Sequence, residues 1–289
     1  IRDSYLFGRN LTGRASVFNE RIKEDTFSIT RRGFDFGLGF GAANDYYHRV
    51  GYELSQSETN EKSSKATSVT GENGKQILKS AVNYTVGRST LDNRFDPSDG
   101  TLFELAQEVA GIGGNAKYYR AVLTGAYYKP IMFNTFFLGT KGRIGQVTGL
   151  GEKVTQSQRF FLGGRRVRGF DGAGIGPRDE GSNAAVGGNK VVNGTFEVVS
   201  RAGISQDLSM RWTVFSDFGS VWETDYPSGV TGANDSAIRT SVGAGILWDT
   251  FIGPMSFYWA KPTSKKSYDK TRTFQFTIGT RLLSLIHIC

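Results

Sequence analysis

The sequence predicts an all-β chain that forms an antiparallel transmembrane β-barrel of the outer-membrane type. Three observations favour this fold: a composition rich in glycine and aromatic residues, short segments in which apolar and polar residues alternate, and connections that alternate between short and long. Glycine supplies 38 of the 289 residues, about 13% against a usual ~7%. Aromatic residues also reach 13%, which is typical of turn-rich β proteins.

Charge and metal-ligating residues exclude several kinds of site. The net charge is +8, and its lysines and arginines occur singly along the strands, which disfavours a nucleic-acid partner. Cys289 is the only cysteine, so neither a disulfide framework nor a thiolate metal site is available. His48 and His287 are the only histidines, which disfavours a zinc site or a serine triad. We therefore predict no metal and no cofactor.

Hydropathy is consistent with a barrel. No run of 18 apolar residues exists, so the sequence predicts no membrane-spanning helix. The mean hydropathy of −0.32 remains low. Lipid-facing and lumen-facing residues alternate along a barrel strand, and the average is therefore not strongly apolar. The same value also fits a soluble β-sandwich.

Both ends of the chain suggest a fragment. Ile1 is not a start residue, and no signal peptide precedes it. Residues 283–289, Leu-Ser-Leu-Ile-His-Ile-Cys, resemble a translated transposon end from sequencing-library preparation, and we expect them to be a non-native tail. We assign residues 1–282 to one barrel domain.

Period-two alternation marks twelve segments, most of them long enough for the ~9–11 residues that a tilted strand needs to cross a bilayer. These predicted strands are Leu11–Glu20, Phe27–Gly41, Tyr46–Ser57, Gln76–Thr90, Thr101–Ala110, Lys117–Ile131, Thr135–Thr148, Lys190–Arg201, Met210–Trp222, Ile238–Thr250, Pro254–Pro262 and Thr273–Leu282.

Connection lengths carry the barrel prediction. Short turns at one rim and long loops at the other are typical of outer-membrane barrels, whereas a soluble sandwich has no reason to sort its loops in this way. The short connections are Ala42–Asp45, Leu91–Gly100, Met132–Asn134, Ala202–Ser209 and Phe251–Gly253, and we expect them at the periplasmic rim. The longer connections are Glu58–Lys75, Gly111–Ala116 (the weakest case), Gly149–Asn189, Glu223–Ala237 and Thr263–Arg272.

Alternation also assigns the two faces of each strand. In Met210–Trp222, Trp212 and Val214 share an apolar face, while Thr213 and Asp217 share a polar one, as lipid outside and water inside require. Aromatic residues near strand ends suggest membrane-interface belts, although an ordinary sandwich core would also contain them. The residues concerned are Trp212, Trp222, Trp248, Trp259, Tyr127, Tyr128 and Tyr258.

The longest glycine-rich connection contains Gly163–Phe170, in which three arginines are flanked by glycines. Glycine lets a backbone approach another surface closely, and a guanidinium can then form a planar fork onto a carboxylate. Glu197 and Asp217, on the next two predicted strands, both point inward and would repel each other without a cation. We predict that the loop folds back into the barrel and that Arg168 bridges one or both acids. The alternative is a flexible basic loop.

Paired carboxylates are also used in glycoside hydrolysis. Here the two acids lie in a barrel wall with no evident sugar cleft, so the sequence predicts no catalytic residue.

Several motifs together resemble those of the family of outer-membrane barrels that includes the BamA, TamA and Sam-type proteins. Val167-Arg168-Gly169-Phe170, followed by Ile175-Gly176-Pro177, resembles the family's sixth-loop motif. Phe215-Ser216-Asp217-Phe218-Gly219 is similar to its aromatic-x-Asp-x-Gly strand motif, with Phe215 and Gly219 at the ends. Glu197 matches the acid of the strand after the loop, and Phe274–Gly279 resembles the closing strand, with Gly279 at its kink.

The resemblance implies a barrel of about sixteen strands, an even number of the kind such barrels use. The twelve predicted strands would be the last twelve, so the first four strands, apart from a remnant around Ile1–Gly8, and the periplasmic POTRA domains would be missing. The sheet should then be open at Leu11–Glu20. The implied location is the outer membrane of a Gram-negative bacterium.

The implied function is assembly of outer-membrane β-barrel proteins without bond chemistry, and therefore without enzymatic activity. The first and last strands would form a weak lateral seam that templates incoming strands, and Arg168 would hold the loop inside. The implied partners are nascent outer-membrane β-barrel proteins, outer-membrane lipid and, through the missing domains, assembly-machinery lipoproteins. Gly279 would be the seam kink or, alternatively, a packing glycine.

A translocation pore is the alternative function. TamA-type proteins and two-partner secretion transporters share the loop arginine, so the arginine alone does not distinguish a transporter from an assembly factor. The glycine-arginine loop disfavours an open porin-like channel, because it would fill the lumen.

Overall fold

The structure is a computed structural model that describes residues 2–3, 11–23, 27–42, 44–61, 74–93, 96–132, 135–200, 210–226, 228–250 and 253–279. The described residues form one large antiparallel sheet of 13 strands together with a separate two-stranded sheet. The strands are β1 (Arg2–Asp3), β2 (Leu11–Lys23), β3 (Phe27–Gly41), β4 (Tyr46–Glu61), β5 (Gln76–Ser89), β6 (Gly100–Ala110), β7 (Tyr118–Ile131), β8 (Phe136–Gly149), β9 (Arg178–Asp179), β10 (Lys190–Ser200), β11 (Met210–Trp222), β12 (Val230–Thr231), β13 (Arg239–Thr250), β14 (Gly253–Ser264) and β15 (Phe274–Ile278).

Neighbours in the large sheet follow chain order, with β9 and β12 set apart as the small sheet. Every strand pair is antiparallel, which places successive connections at opposite ends of the sheet. Among the described residues the sheet is open, with β1 and β15 at its two edges. The predicted all-β class is therefore confirmed, with one large antiparallel sheet that is open among the described residues.

Several strand ends differ from the prediction. Near the long-loop rim, β2 extends to Lys23 and β4 to Glu61, because the ladder continues through polar residues that do not alternate in hydropathy. The small strands β9 and β12 were not predicted, since two residues are too few to show a period. The predicted ends at Arg201 and Leu282, the connection Ala202–Ser209 and the tail 283–289 lie outside the described residues.

The edge predicted at Leu11–Glu20 carries one short further strand, β1, which falls within the predicted remnant Ile1–Gly8. Arg2 and Asp3 pair with Arg14 and Gly13 at that edge. A two-residue strand has no detectable alternation, so the sequence pattern could not give its bounds. Over the rest of its described length, β2 pairs with β3 alone.

The two faces of the sheet have opposite character, as predicted. On β3 the outward side chains Phe34, Phe36, Leu38 and Phe40 are exposed and apolar. On β11 Val214 is 45% exposed, whereas Asp217 on the inward face is completely buried. No helix in the described part of the chain is long and apolar enough to span a membrane.

Two of the aromatic residues predicted for the membrane belts face the interior instead. Tyr128 is 3% exposed and packs with Phe137 and Val199 on the concave side. Tyr258 contacts Phe215 and Arg168, also on the concave side. Proximity to a strand end therefore predicted the wrong side for both residues, because strand parity, rather than position along the strand, sets the side. Trp212 and Trp259 are exposed on the outward face.

The main hydrophobic core lies between the concave face of the sheet and the loop that joins β8 to β10. Wall residues such as Tyr118, Val147 and Val221 pack there against the loop. The loop contributes Val154, Phe160, Leu162, Val167, Phe170 and Ile175 to this cluster. The lumen is thus filled by the loop, and this core positions the candidate site.

Candidate functional site

Residues 150–189 leave β8 and turn back over the concave face, with Val167 and Phe170 completely buried. Glycine makes the tight turn possible. Gly163 has a φ of 129°, and a Cβ added there would lie 1.9 Å from the carbonyl oxygen of Asp171. An L-residue side chain would therefore meet both a disfavoured backbone conformation and a backbone clash.

The loop contacts opposite walls of the barrel. On one side, the rings of Phe161 and Phe27 on β3 are 5.0 Å apart. On the other side, Phe170 forms an antiparallel bridge with Thr271, and Gln275 Nε2 on β15 donates a hydrogen bond to its carbonyl oxygen at 2.9 Å. The loop therefore links strands at both ends of the described sheet.

Arg168 forms a bidentate ion pair with Asp217 of β11. Its Nε and Nη2 lie 2.7 and 2.8 Å from Oδ2 and Oδ1 of the carboxylate. The backbone N–H of Arg168 donates to the same carboxylate at 2.9 Å, and Thr195 Oγ1 on β10 donates to it at 2.9 Å. Asp217 thus accepts four hydrogen bonds in a fully buried position, which satisfies a charge that would otherwise be costly to bury.

Glu197 lies farther from Arg168 than Asp217 does. Its Oε2 is 3.6 Å from Arg168 Nη1, beyond hydrogen-bond range, and its Oε1 is 3.3 Å from Lys141 Nζ on β8. Lys141, Glu197, Arg168 and Asp217 therefore form a row of alternating charge across four neighbouring segments. Within the described ranges no group of three or more His, Cys, Asp or Glu residues is arranged to hold a metal ion.

Two aromatic rings cover the guanidinium of Arg168. Its Cζ lies 3.3 Å from the centre of the Phe215 ring and 4.9 Å from that of Tyr258 on β14. The two rings meet edge to face, with centres 5.7 Å apart. A cation over a ring face is stabilised by the ring quadrupole, more so when water is excluded. Tyr258 belongs to this site although sequence reasoning assigned it to a membrane belt.

Electrostatics favours a permanently charged Arg168. Burial by itself lowers the pKa of the guanidinium, but hydrogen bonds and attraction to Asp217 outweigh it, and the net pKa is raised. Arg168 therefore stays positively charged throughout the physiological pH range.

Three glycines provide space for the loop. Gly219, two residues after Asp217, lies beneath Leu162, and a Cβ there would be 2.8 Å from Leu162 Cδ2. Gly169 has a φ of 93° and packs against Ser241 and Ala260. Gly176 lies against Val221 with a φ of 111°. Gly219, at the end of the strand motif, is thus the position at which the loop packs against the barrel wall.

Gly279 follows directly after β15 and donates its N–H to the carbonyl oxygen of Pro254 at 2.7 Å. A Cβ there would lie 3.0 Å from Pro254 Cγ, so the position also suits a packing glycine. The kink at Gly279 remains a prediction, because residues 280–282 lie outside the described residues.

We expect cysteine labelling to report the buried loop in a Cys289→Ser background. Val167→Cys should react slowly with a membrane-impermeant maleimide, because Val167 is completely buried. Arg165→Cys, two residues away and exposed, is the matched control and should react quickly. Equal labelling of the two positions would contradict a loop packed inside the barrel.

Fold and site together define a class: a transmembrane outer-membrane β-barrel whose inner loop is held by an arginine–aspartate pair. The model of the Omp85 superfamily domain matches residues 2–282. The chain belongs to the Omp85 superfamily and is a protein of the Gram-negative outer membrane.

Individual relatives agree with this membership. The chain is 31% identical over 278 residues to "Outer membrane protein assembly factor BamA" of Neorickettsia risticii, covering 94% of the chain and 37% of the relative. Its fold is similar to the crystal structure of BamA from Haemophilus ducreyi lacking POTRA domains 1–3, with a TM-score of 0.81, 24% identity and coverage of 96% and 60% of the two chains.

A more distant likeness extends to CdiB from Acinetobacter baumannii, with a TM-score of 0.53, 12% identity and coverage of 92% and 49%. At that identity the likeness concerns the fold alone. The chain spans little more than a third of the length of its Neorickettsia relative.

Proposed function

We propose that this chain is the barrel part of an assembly factor that folds and inserts β-barrel proteins into the outer membrane. The observation that carries the proposal is the similarity to BamA along 94% of the chain, in which the loop motif coincides with a fully built Arg168–Asp217 pair. The role is positional: the protein holds and releases strands, and the proposal includes no bond chemistry.

The open sheet supports a templating mechanism. Beyond Arg14 the described part of β2 pairs only with β3, and β15 pairs only with β14. Unpaired strand edges present backbone donors and acceptors to which an incoming strand can add. The closing strand near Gly279 and the opposite edge of the complete barrel form the lateral seam, and the thinned lipid beside it eases insertion.

Loop and seam are connected in this proposal. The backbone of Phe170 accepts a hydrogen bond from Gln275 of β15, and the N–H of Arg272 donates to Gly169 O at 2.9 Å. The Arg168 pair thus fixes the loop segment that touches the seam strand. The partners of the protein in this proposal are nascent outer-membrane β-barrel proteins, outer-membrane lipid and assembly-machinery lipoproteins recruited by periplasmic domains.

Translocation is the competing function, since CdiB and TamA-type barrels share the architecture. The filled lumen disfavours it, because Val167 and Phe170 occupy the space that a passing chain would need. Planar-bilayer conductance separates the two functions. Assembly predicts small, infrequent openings, and a transport pore predicts a steady large conductance.

The test of the proposal is complementation by a chimera. This chain replaces the 278 aligned residues of the Neorickettsia BamA, and the chimera is expressed in a strain depleted of its own assembly factor. We expect growth and normal amounts of folded porin. The control is the same chimera with Arg168→Ala. Failure of the unmodified chimera, when it is present in the outer membrane and its own barrel is folded, would contradict the proposal.

A further inference from the structure

A second group of arginines lies in the lumen beside the Arg168 site. Arg120 on β7 and Arg143 on β8 point to the concave face, and Arg166 comes from the loop two residues before Arg168. The ring of Phe160 lies against two of them, with both Arg120 Cζ and Arg143 Cζ 5.2 Å from the ring centre. We call Arg120, Arg143 and Arg166 the arginine cluster.

This cluster lacks a neutralising carboxylate. The positive charges of Arg166 and Arg120 both act on Arg143, and within the described part of the chain neither Arg143 nor Arg166 has an acidic group within 4.0 Å. Glu108 on β6 lies across from Arg120, but it bonds Tyr118 and Lys79 and makes no ion pair with Arg120. Arg120 instead donates Nη2 to the carbonyl oxygen of Gln158.

Three other guanidiniums that face the lumen do have acids. Arg168 pairs with Asp217, Arg239 with Asp269 at 3.1 Å, and Arg31 with Glu53 at 2.9 Å. In the arginine cluster, neither Arg120 nor Arg143 forms an ion pair with an acid among the described residues, and Nη1 of Arg143 and Nε of Arg120 are buried without a hydrogen-bond partner. Like charges held together with unmet donors cost free energy, and an anion between them relieves that cost.

The position of the cluster restricts the anion. Arg143 lies on the inward face of β8, while its neighbour Ile144 is 58% exposed on the lipid-facing side. The sheet therefore separates the cluster from lipid headgroups. An anion must come through the lumen, where the proposed function places unfolded substrate chains. Carboxylates are also the groups that Arg168 and Arg31 bind in the same lumen.

We propose that the arginine cluster is a binding site for an acidic segment of a nascent substrate, with the substrate's carboxylates entering the places that Asp217 and Glu53 occupy elsewhere. This inference rests on the proposed function and names the substrate feature that is recognised. Planar guanidiniums bind carboxylates through two parallel hydrogen bonds, which favours clustered Asp or Glu over a diffuse negative charge.

The test measures peptide binding by the chimera in detergent micelles, using fluorescence anisotropy. The probe is a labelled strand-length peptide with three aspartates, and its control carries asparagine at the same positions. We expect the aspartate peptide to bind on the order of tenfold more tightly, and Arg143→Gln or Arg166→Gln to remove on the order of tenfold in affinity. Arg165→Gln, at the loop arginine next to Arg166 but outside the cluster, is the matched control and should change the affinity less than about twofold.

Three outcomes would overturn the inference: equal binding of the two peptides, unchanged binding by both cluster variants, or displacement only by inorganic phosphate or by phospholipid vesicles. The third outcome would identify a free-anion or lipid-phosphate site instead. Binding is measured apart from assembly, so the two proposals fail separately. A chimera that binds the acidic peptide but does not complement depletion contradicts the proposed function alone.

Discussion

Replacing Arg168 by alanine is expected to release the loop and abolish complementation by the chimera. Asp217 would be left fully buried with its charge uncompensated, and removing one partner of a buried pair costs about 3–5 kcal/mol. Two aromatic contacts, to Phe215 and Tyr258, are lost as well. The measurements are growth of the depleted strain and the urea concentration at which the heat-modifiable folded band disappears.

Conservative variants at the pair sharpen this prediction. Arg168→Lys should rescue little, because an ammonium cannot form the planar fork onto Asp217. From the sequence alone, Asp217→Asn should be milder than Arg168→Ala, since Glu197 remains. The distances reverse that expectation: Asp217 accepts both short side-chain hydrogen bonds, whereas Glu197 stays 3.6 Å away. We therefore expect Asp217→Asn to approach Arg168→Ala in severity and Glu197→Gln to be mild. Normal growth and an equally stable Arg168→Ala barrel would show that packing alone holds the loop.

Replacing Gly219 by valine is expected to lift the loop from the wall. A Cβ at this position would lie 2.8 Å from Leu162 Cδ2 and 2.9 Å from the carbonyl oxygen of Val192. Overpacking of a filled interior costs about 1–3 kcal/mol. The backbone oxygen cannot move without breaking the β10–β11 ladder, so we expect the upper part of that range. Limited proteolysis of the loop in intact cells reports the effect.

Gly142→Val is the matched control, because a Cβ there meets nothing within 4 Å. Gly142 lies on β8 beside Ile144 and points to the lipid-facing side, where valine is favourable. We expect a protected loop and normal growth for this variant. Equal protease sensitivity of the two variants would mean that replacing any strand glycine exposes the loop, so that the lack of space at Gly219 is not the cause.

Period two was sufficient to predict the main geometry of the site. Once Met210–Trp222 is a strand with a lipid-facing side, Asp217 must point inward, and the same reasoning applies to Glu197 on the preceding strand. The loop could be assigned to the interior because arginine among glycines suggests close backbone approach. The acid that pairs with Arg168 could not be predicted, because the choice between Asp217 and Glu197 depends on loop geometry that no sequence period specifies.

Tyr258 and the arginine cluster show what the sequence pattern misses. Tyr258 reaches Arg168 from β14, the fourth strand of the large sheet after the loop in chain order. It pairs with Gly245 in an unbroken stretch of the β13–β14 register, so its side follows from strand parity and not from its position near a strand end. Arg120, Arg143 and Arg166 come from two strands and a loop, so their proximity requires both the strand register and the folded loop. An isolated inward arginine on each strand gave no signal of a cluster.

The rate at which the purified chimera folds a porin in proteoliposomes tests most directly the claim that a barrel with a pinned loop assembles other barrels. A urea-denatured porin is added, and the fraction that becomes resistant to unfolding by detergent at room temperature is followed over time. We predict faster folding than in empty liposomes, and loss of that acceleration in the Arg168→Ala chimera. Folding no faster than in empty liposomes, with the chimera itself inserted and folded, would contradict the claim.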